Sequence, residues 1–162
     1  MRTLSVLNTQ ELTDILSACR TCFVALIDGN SPYVIPMNFG YDGEYIILHS
    51  GKEGRKWDAL NTNPKVCITW MLGDEIVSQN EQVGCSYRVK SKTLMLEGEL
   101  EFVDDYEEKL KCLNAFMKQY SNKQFQFNRP AVENVGIMRI KSDDLVGKEF
   151  GAKPPQPWKS GK

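Results

Sequence analysis

The first half of the chain contains short apolar segments separated by turn-forming residues, a pattern typical of antiparallel β-structure. Residues 22–27 are apolar and partly β-branched, and residues 28–30 read Asp-Gly-Asn, a strong turn signal. Residues 33–41 form a second segment, which an Asp-Gly pair at 42–43 closes, and residues 45–49 form a third. The pattern predicts three consecutive strands in an antiparallel meander.

Three further strands and one loop are predicted in the rest of the chain. Residues 65–71 are predicted to form a fourth strand and residues 73–84 a polar loop. Residues 86–103 have the character of an unusually long strand region, in which Gly98 is expected to introduce a β-bulge. Residues 136–140 supply the last predicted strand. Because bends of this kind allow a sheet to close on itself, the fold class indicated is mainly β, a β-barrel with added helices.

Helices are predicted at three places. Asn8 and Glu11 have the spacing of a capping box, so a short helix should begin near Thr9. The same spacing starts a longer helix at about Asp105, and the polar segment 54–60 has room for one or two helical turns. One face of the longer helix is apolar and is expected to pack on the core; it consists of Leu110, Leu113, Phe116, Met117 and Tyr120.

Length and composition suit one folded domain over residues 1–150. The 162 residues are 41% hydrophobic and 25% charged, which is ordinary for a soluble globular protein. The segment 122–134 is polar and is predicted to be a loop. Residues 151–162 are rich in proline, which lacks a backbone donor, so we expect an extended C-terminal tail.

Charge and cysteine content restrict the environment and partners. A formal net charge of −1 provides no overall field for nucleic acid or an anionic membrane, and no apolar segment approaches the roughly 20 residues that a bilayer requires. Five cysteines and no secretory leader pattern favour a cytoplasmic protein with reduced thiols. Cys19 and Cys22 form a lone C-x-x-C pair, interpreted as buried or spectator thiols, and we predict no metal site.

A basic, glycine-containing segment follows the third predicted strand. Gly51 and Gly54 precede the adjacent cations Arg55 and Lys56 at the start of the short helix. Free amides at a helix start, the positive end of its dipole and two cations would suit a phosphate group. A solvated basic turn explains the same residues, so both interpretations stay open at this level.

The order of motifs over nearly half the chain is informative. Residues 32–41 read PYVIPMNFGY, residues 49–56 read HSGKEGRK, Asn-Pro at 63–64 precedes Trp70, and residues 94–103 read LMLEGELEFV. In this order and spacing the segments resemble the flavin proteins related to pyridoxamine 5'-phosphate oxidase, in particular their nitroimidazole-resistance (Nim) branch. No basic C-terminal signature for a pyridoxine phosphate follows, so vitamin B6 synthesis is not expected.

The resemblance implies a homodimeric split β-barrel of the FMN-binding type, antiparallel and Greek-key-like, with FMN at each of two subunit-interface sites. The strand around Ile35, Met37 and Asn38 would line the flavin ring and ribityl chain, while Arg55 and Lys56 would take the phosphate. The residues carried over for cofactor binding are Ile35, Pro36, Met37, Asn38, His49, Ser50, Arg55, Lys56, Thr93 and Trp158.

Trp158 is our candidate for the residue that the partner subunit contributes, with Tyr87 and Trp70 as alternatives. His49, the only histidine of the sequence, is the predicted catalytic residue, able to deliver a proton at the flavin edge. The alternative is a histidine that only anchors the loop. FMN is the expected cofactor, and FAD, a deazaflavin or haem are alternatives.

The resemblance implies an FMN-dependent oxidoreductase that reduces a small organic substrate, similar to nitroimidazole reductases. The alternative function is a flavin carrier or sensor without turnover. Because the sequence has no G-x-G-x-x-G fingerprint of a dinucleotide-binding domain, NAD(P)H would bind only transiently as an electron donor.

Overall fold

The computed structural model describes residues 4–6 and 8–151. Within these residues ten strands, four α-helices and one 3-10 helix are formed. The strands are β1 (Leu4–Val6), β2 (Cys22–Asp28), β3 (Ser31–Met37), β4 (Gly40–Tyr41), β5 (Tyr45–Ser50), β6 (Lys65–Val77), β7 (Arg88–Glu99), β8 (Glu101–Val103), β9 (Gly136–Lys141) and β10 (Val146–Phe150). The helices are α1 (Thr9–Ala18), α2 (Arg55–Thr62), α3 (Tyr106–Lys118) and α4 (Arg129–Asn134), with the 3-10 turn at Gly84–Ser86.

The strands form two antiparallel sheets. Six strands are arranged in the order β1-β10-β7-β6-β2-β3, and four in the order β4-β5-β9-β8. The predicted mainly β split-barrel fold with added helices is confirmed. Residues 152–162, which include most of the predicted tail and Trp158, lie outside the described residues, so the domain boundary stays a prediction.

Alternation of apolar side chains places the core between the sheets. On β2, Cys22, Val24 and Leu26 are buried while Phe23 and Ile27 point outward. This two-residue period is what a strand with one buried face requires. The predicted turn between β2 and β3 is present, with Gly29 at a φ of 61°, a value that favours glycine.

The predicted three-strand meander is wrong, because its third strand, β5, does not pair with β3. The chain leaves β3 after Met37, and β5 belongs to the other sheet. The predicted strand 33–41 is therefore divided at residues 38–39. The physical reason is Phe39, which is fully buried with its ring edge-to-face on Trp70 at 5.4 Å, so the chain turns inward instead of continuing the hairpin.

The predicted loop 73–84 and the predicted bulge also require correction. β6 continues to Val77, because its second half pairs with β7. The register shift lies between Leu72 and Glu75, whereas Gly98 pairs regularly opposite Val66. A long β6–β7 ribbon therefore replaces most of the loop, and the shift occurs within it.

The two capping predictions are confirmed in position. The Asn8 side chain accepts a hydrogen bond from the Gln10 amide at 2.8 Å, and that of Asp105 accepts one from the Glu108 amide at 3.0 Å. The end of the predicted loop 122–134 instead forms α4, which the Asn128 side chain caps. β10 was not predicted from the sequence, and it pairs antiparallel with β1 on one side and with β7 on the other.

Candidate functional site

A cleft of about 420 Å³ lies where the end of β3, the end of β5 and the start of α2 meet. We call it the His49 cleft. Five of its lining residues were predicted as site residues from separate segments of the sequence, and the sixth, Thr21, was not. The cleft is lined by Thr21, Pro36, Met37, Asn38, His49 and Lys56.

The two sheets bring these segments together. β3 is an edge strand of the six-stranded sheet, and β5 belongs to the four-stranded sheet. α2 begins at Arg55 directly after Gly54, which has a φ of 89° and provides no side-chain cap. The amides of the first helical turn are therefore left without a capping side chain.

His49 lies on β5 with its ring stacked on Phe116 of α3, at a centroid distance of 4.3 Å and an interplanar angle of 22°. Its Nδ1 atom is buried and has no hydrogen-bond partner among the described residues. Burial lowers the pKa of His49, and the nearby positive charge of Lys56 lowers it further. The imidazole is therefore neutral at pH 7, with one nitrogen able to donate and the other to accept.

Lys56 brings a cation into the same cleft. Its side chain is half-buried, and this burial lowers the pKa of its ammonium group. The ion pairs formed within the described part of the chain do not include Lys56. A partly desolvated cation without a carboxylate partner is well placed to bind an anion.

Arg55 occupies a different position from its neighbour. Its Nε donates to Asp28 Oδ2 at 2.7 Å, and its guanidinium lies 4.1 Å from the centroid of the Tyr33 ring. Arg55 does not line the His49 cleft. The structure thus separates the two predicted phosphate ligands, one in the cleft and one bound to the β2–β3 hairpin.

The other predicted site residues lie around or away from the cleft. The Ser50 hydroxyl donates to the Gly51 carbonyl oxygen at 2.7 Å, and Ile35 packs against the core. Thr93 lies on β7 in another cleft. Of the two alternatives to Trp158, Trp70 is buried and Tyr87 is half exposed.

The side of the six-stranded sheet that faces away from the core exposes several large apolar side chains, and we call it the outer face. It carries Phe23 and Ile27 from β2, Val34 from β3, Met71 from β6 and Val146 from β10, each 46% to 58% exposed. Two apolar clefts of about 470 and 450 Å³ cross it. Large apolar side chains exposed together on one face are typical of an interaction surface.

Burial makes one thiol of the C-x-x-C pair unreactive. The five cysteines are free, and burial raises the pKa of Cys22 to about 12, which makes that thiol unreactive. Within residues 4–6 and 8–151, no group of three His, Cys, Asp or Glu could hold a metal ion. The helices formed by these residues are all too short or too polar to cross a membrane.

Sequence reasoning missed the support that α3 and the turn after it give to the cleft. Phe116 and Tyr120 were predicted only as part of an apolar helix face. The structure places Phe116 under the His49 ring and the Tyr120 hydroxyl against the backbone of Phe39. Helical periodicity identified the buried face, but it contained no signal for which strand this face would meet.

Comparison with known proteins shows the family of the chain. Residues 8–149 match the family model of pyridoxamine 5'-phosphate oxidase. A candidate 5-nitroimidazole antibiotic resistance protein from Bacteroides thetaiotaomicron is 38% identical, with a TM-score of 0.81 over 91% of this chain and 87% of that one. No curated protein matches the chain.

Two more distant structures share the fold. A flavocytochrome from Azotobacter vinelandii is 19% identical, with a TM-score of 0.81 over 96% of this chain and 73% of that one. An FAD and heme binding protein from Mycobacterium smegmatis is 16% identical, with a TM-score of 0.78 over 94% and 76% of the two chains. The resemblance predicted from the sequence is confirmed, and the chain belongs to the pyridoxamine 5'-phosphate oxidase family, with a relative in its nitroimidazole-resistance branch.

Proposed function

We propose that the protein is an FMN-dependent oxidoreductase that reduces a small organic acceptor, such as a nitroaromatic compound. The proposal rests on one observation: residues from three separate segments line the same cleft. They are Pro36, Met37 and Asn38 from β3 and the residue after it, His49 from β5 and Lys56 from α2. The family match and the nitroimidazole-resistance relative support the same reading.

The residues of the cleft fit a flavin phosphate. Lys56 is half-buried and unpaired within the described residues, and the first turn of α2 has no side-chain cap. A cation and free helix-start amides together favour a bound phosphate. In this proposal Lys56 binds the phosphate, and Arg55 fixes the start of α2 through Asp28.

The other lining residues would hold the ring system. Pro36 and Met37 offer apolar contacts, and the exposed Asn38 side chain offers a donor and an acceptor. FMN, when bound, supplies the electron-transfer chemistry. His49, neutral because burial and Lys56 lower its pKa, holds a proton on one ring nitrogen and can donate it to the acceptor.

We also propose that two copies associate through the outer face. Large apolar side chains exposed on one sheet face, as Phe23 and Met71 are, are stabilised when a second copy covers them. A symmetric pair would create two equal cofactor sites. Trp158 of the partner subunit remains the proposed aromatic contribution to each site, and NAD(P)H the transient donor.

The test is spectroscopic and then kinetic. Purified protein is titrated with FMN, FAD and riboflavin, and binding is followed by absorbance and calorimetry. The reoxidation rate of the reduced flavoprotein is then measured with and without a nitroaromatic acceptor. Failure to bind any flavin would refute the proposal. Binding without faster reoxidation would favour the carrier or sensor function, and a Soret band after haem addition would favour haem.

A further inference from the structure

The connection between β3 and β4 contacts one side chain, Tyr120, which lies in the turn directly after α3. This connection consists of Asn38 and Phe39, which pair with no strand. The Phe39 amide donates to the Tyr120 hydroxyl oxygen at 2.8 Å, and the Phe39 carbonyl oxygen lies 2.8 Å from the same hydroxyl. The hydroxyl oxygen thus satisfies the amide of a buried residue, and its single proton lies within donating distance of that residue's carbonyl oxygen, two groups that strand pairing would satisfy elsewhere.

The same hydroxyl reaches the segment between α1 and β2. It lies 2.9 Å from the Arg20 carbonyl oxygen, which also accepts from the Asn38 side-chain amide at 3.2 Å. The neighbouring Gln119 donates from Nε2 to the carbonyl oxygens of Leu16 and Cys19, each at 2.8 Å. Gln119 and Tyr120, which directly follow α3, therefore connect the α1–β2 segment with the β3–β4 segment.

Both of these connections lead directly into the His49 cleft. Asn38 lines the cleft, and so do Met37 before it and Thr21 after Arg20. One helical turn before Tyr120, Phe116 supports the His49 ring on the other side. Two aromatic side chains four residues apart, one on α3 and one in the turn after it, thus support residues that line one cleft.

We infer that Tyr120 is a positioning residue for this site: its hydroxyl sets the backbone of residues 38–39 and thereby the orientation of Asn38 toward the cofactor. The inference rests on the proposed flavin site. Tyr120 does not line the His49 cleft, so its effect reaches the cofactor only through the residues it holds. A shift of about 1 Å in a positioned group is enough to alter binding and reactivity.

The experiment compares Tyr120→Phe with Tyr106→Phe in the full-length protein. Both substitutions remove one tyrosine hydroxyl, at the start of α3 or just after its end. The Tyr106 ring contacts Arg129 and packs on the apolar cluster around Leu113 and Val132, and it does not line the cleft. We expect Tyr120→Phe to keep the circular dichroism spectrum and to weaken FMN binding about tenfold. The absorbance band and the reduction potential of bound FMN should shift, while Tyr106→Phe leaves both unchanged.

A measurement without flavin separates this inference from the proposed function. In the apo protein, amide hydrogen exchange of Phe39 should become at least about tenfold faster in Tyr120→Phe, because its amide loses its acceptor. The exchange of Leu48, in the middle of β5, should not change. If the wild type binds no flavin, the proposed function fails, and the exchange data and Asn38 side-chain NMR signals still decide whether Tyr120 positions the cleft.

Two results would overturn the inference. One is unchanged Phe39 exchange and unchanged Asn38 signals in Tyr120→Phe. The other is faster Phe39 exchange with flavin affinity, spectrum and potential all equal to those of the wild type, since Tyr120 would then serve only local stability.

Discussion

The imidazole ring of His49 lies nearly parallel to the phenyl ring of Phe116, with ring centroids 4.3 Å apart. The stacking buries one side of the imidazole, and the Nδ1 atom finds no partner within the described residues. A buried histidine nitrogen without a partner calls for an explanation, and a contact with the bound flavin or its acceptor is the one that the proposed function offers.

The protonation of His49 should depend on Lys56. Burial lowers the His49 pKa most, and the Lys56 charge contributes a smaller decrease in the same direction. Lys56→Met should therefore raise the pKa of His49 toward its ordinary value, while Lys123→Met, an exposed control, should not change it. Because the sequence contains one histidine, its NMR signal is unambiguous during a pH titration. A pKa that is unaffected by Lys56→Met would contradict the coupling.

The lowered pKa also predicts the sign of a pH effect on stability. The unfolded chain binds a proton at His49 near the ordinary pKa of 6.5, whereas the folded protein does not until lower pH. The unfolded state thus binds more protons in this interval, so the free energy of unfolding should fall as the pH drops below about 6.5. Urea denaturation of wild type and His49→Asn between pH 7.5 and about 5.5 measures the effect. If the free energy of unfolding changes equally with pH in both proteins, His49 is not the source of the effect.

Removal of the imidazole should impair chemistry more than binding. We expect His49→Ala to keep the dimer and most of the FMN while slowing acceptor reduction about a hundredfold, the low end for a general acid. Single-turnover reoxidation of the reduced flavin measures the step. Loss of flavin and stability with a normal rate per bound FMN would mean that His49 is structural.

Lys56 should recognise the phosphate group specifically. Lys56→Ala is expected to weaken FMN binding by about 1.5 to 3 kcal/mol, the range for a charge-assisted hydrogen bond. Riboflavin lacks the phosphate and should lose little. Calorimetric titrations of both ligands make the comparison, and equal losses would show that Lys56 supports the fold instead.

Gly40 should tolerate no side chain. A Cβ atom there would lie 2.4 Å from the Phe116 Cα, a backbone atom of α3 that cannot move alone. Gly40→Ala should therefore destabilise the protein by about 1 to 3 kcal/mol, the cost of overpacking. Gly84→Ala is the matched control, since nothing lies within 4 Å of its added Cβ. Equal urea midpoints for the two variants would disprove this close contact.

A charge on the outer face should prevent association. Phe23 is 47% exposed on β2 and lies opposite Thr69 of β6. Phe23→Glu would require a buried charge at the proposed interface, so sedimentation should detect monomers. Phe125→Glu, in the loop before α4, should leave the dimer intact. A wild type that sediments as a monomer and still binds one FMN per chain would refute the interface.

Local sequence signals determined much of this protein. Short apolar segments bounded by turn residues predicted the strands around Val24 and Ile46. The capping side chains of Asn8 and Asp105 predicted two helix starts, and the order of motifs predicted the family and most of the segments that line the His49 cleft. These features depend on residues close together in the chain, so their spacing alone is informative.

Only the tertiary structure decided how those segments meet. The predicted strand is divided at Phe39 because that ring makes a buried contact with Trp70. The hydrogen bond from Arg55 to Asp28 joins residues that are 27 positions apart. The support of His49 by Phe116 likewise joins a strand in the first third of the chain to a helix in the last third. Such contacts are selected by packing among elements distant in sequence, and no local period or spacing encodes which partner will be chosen.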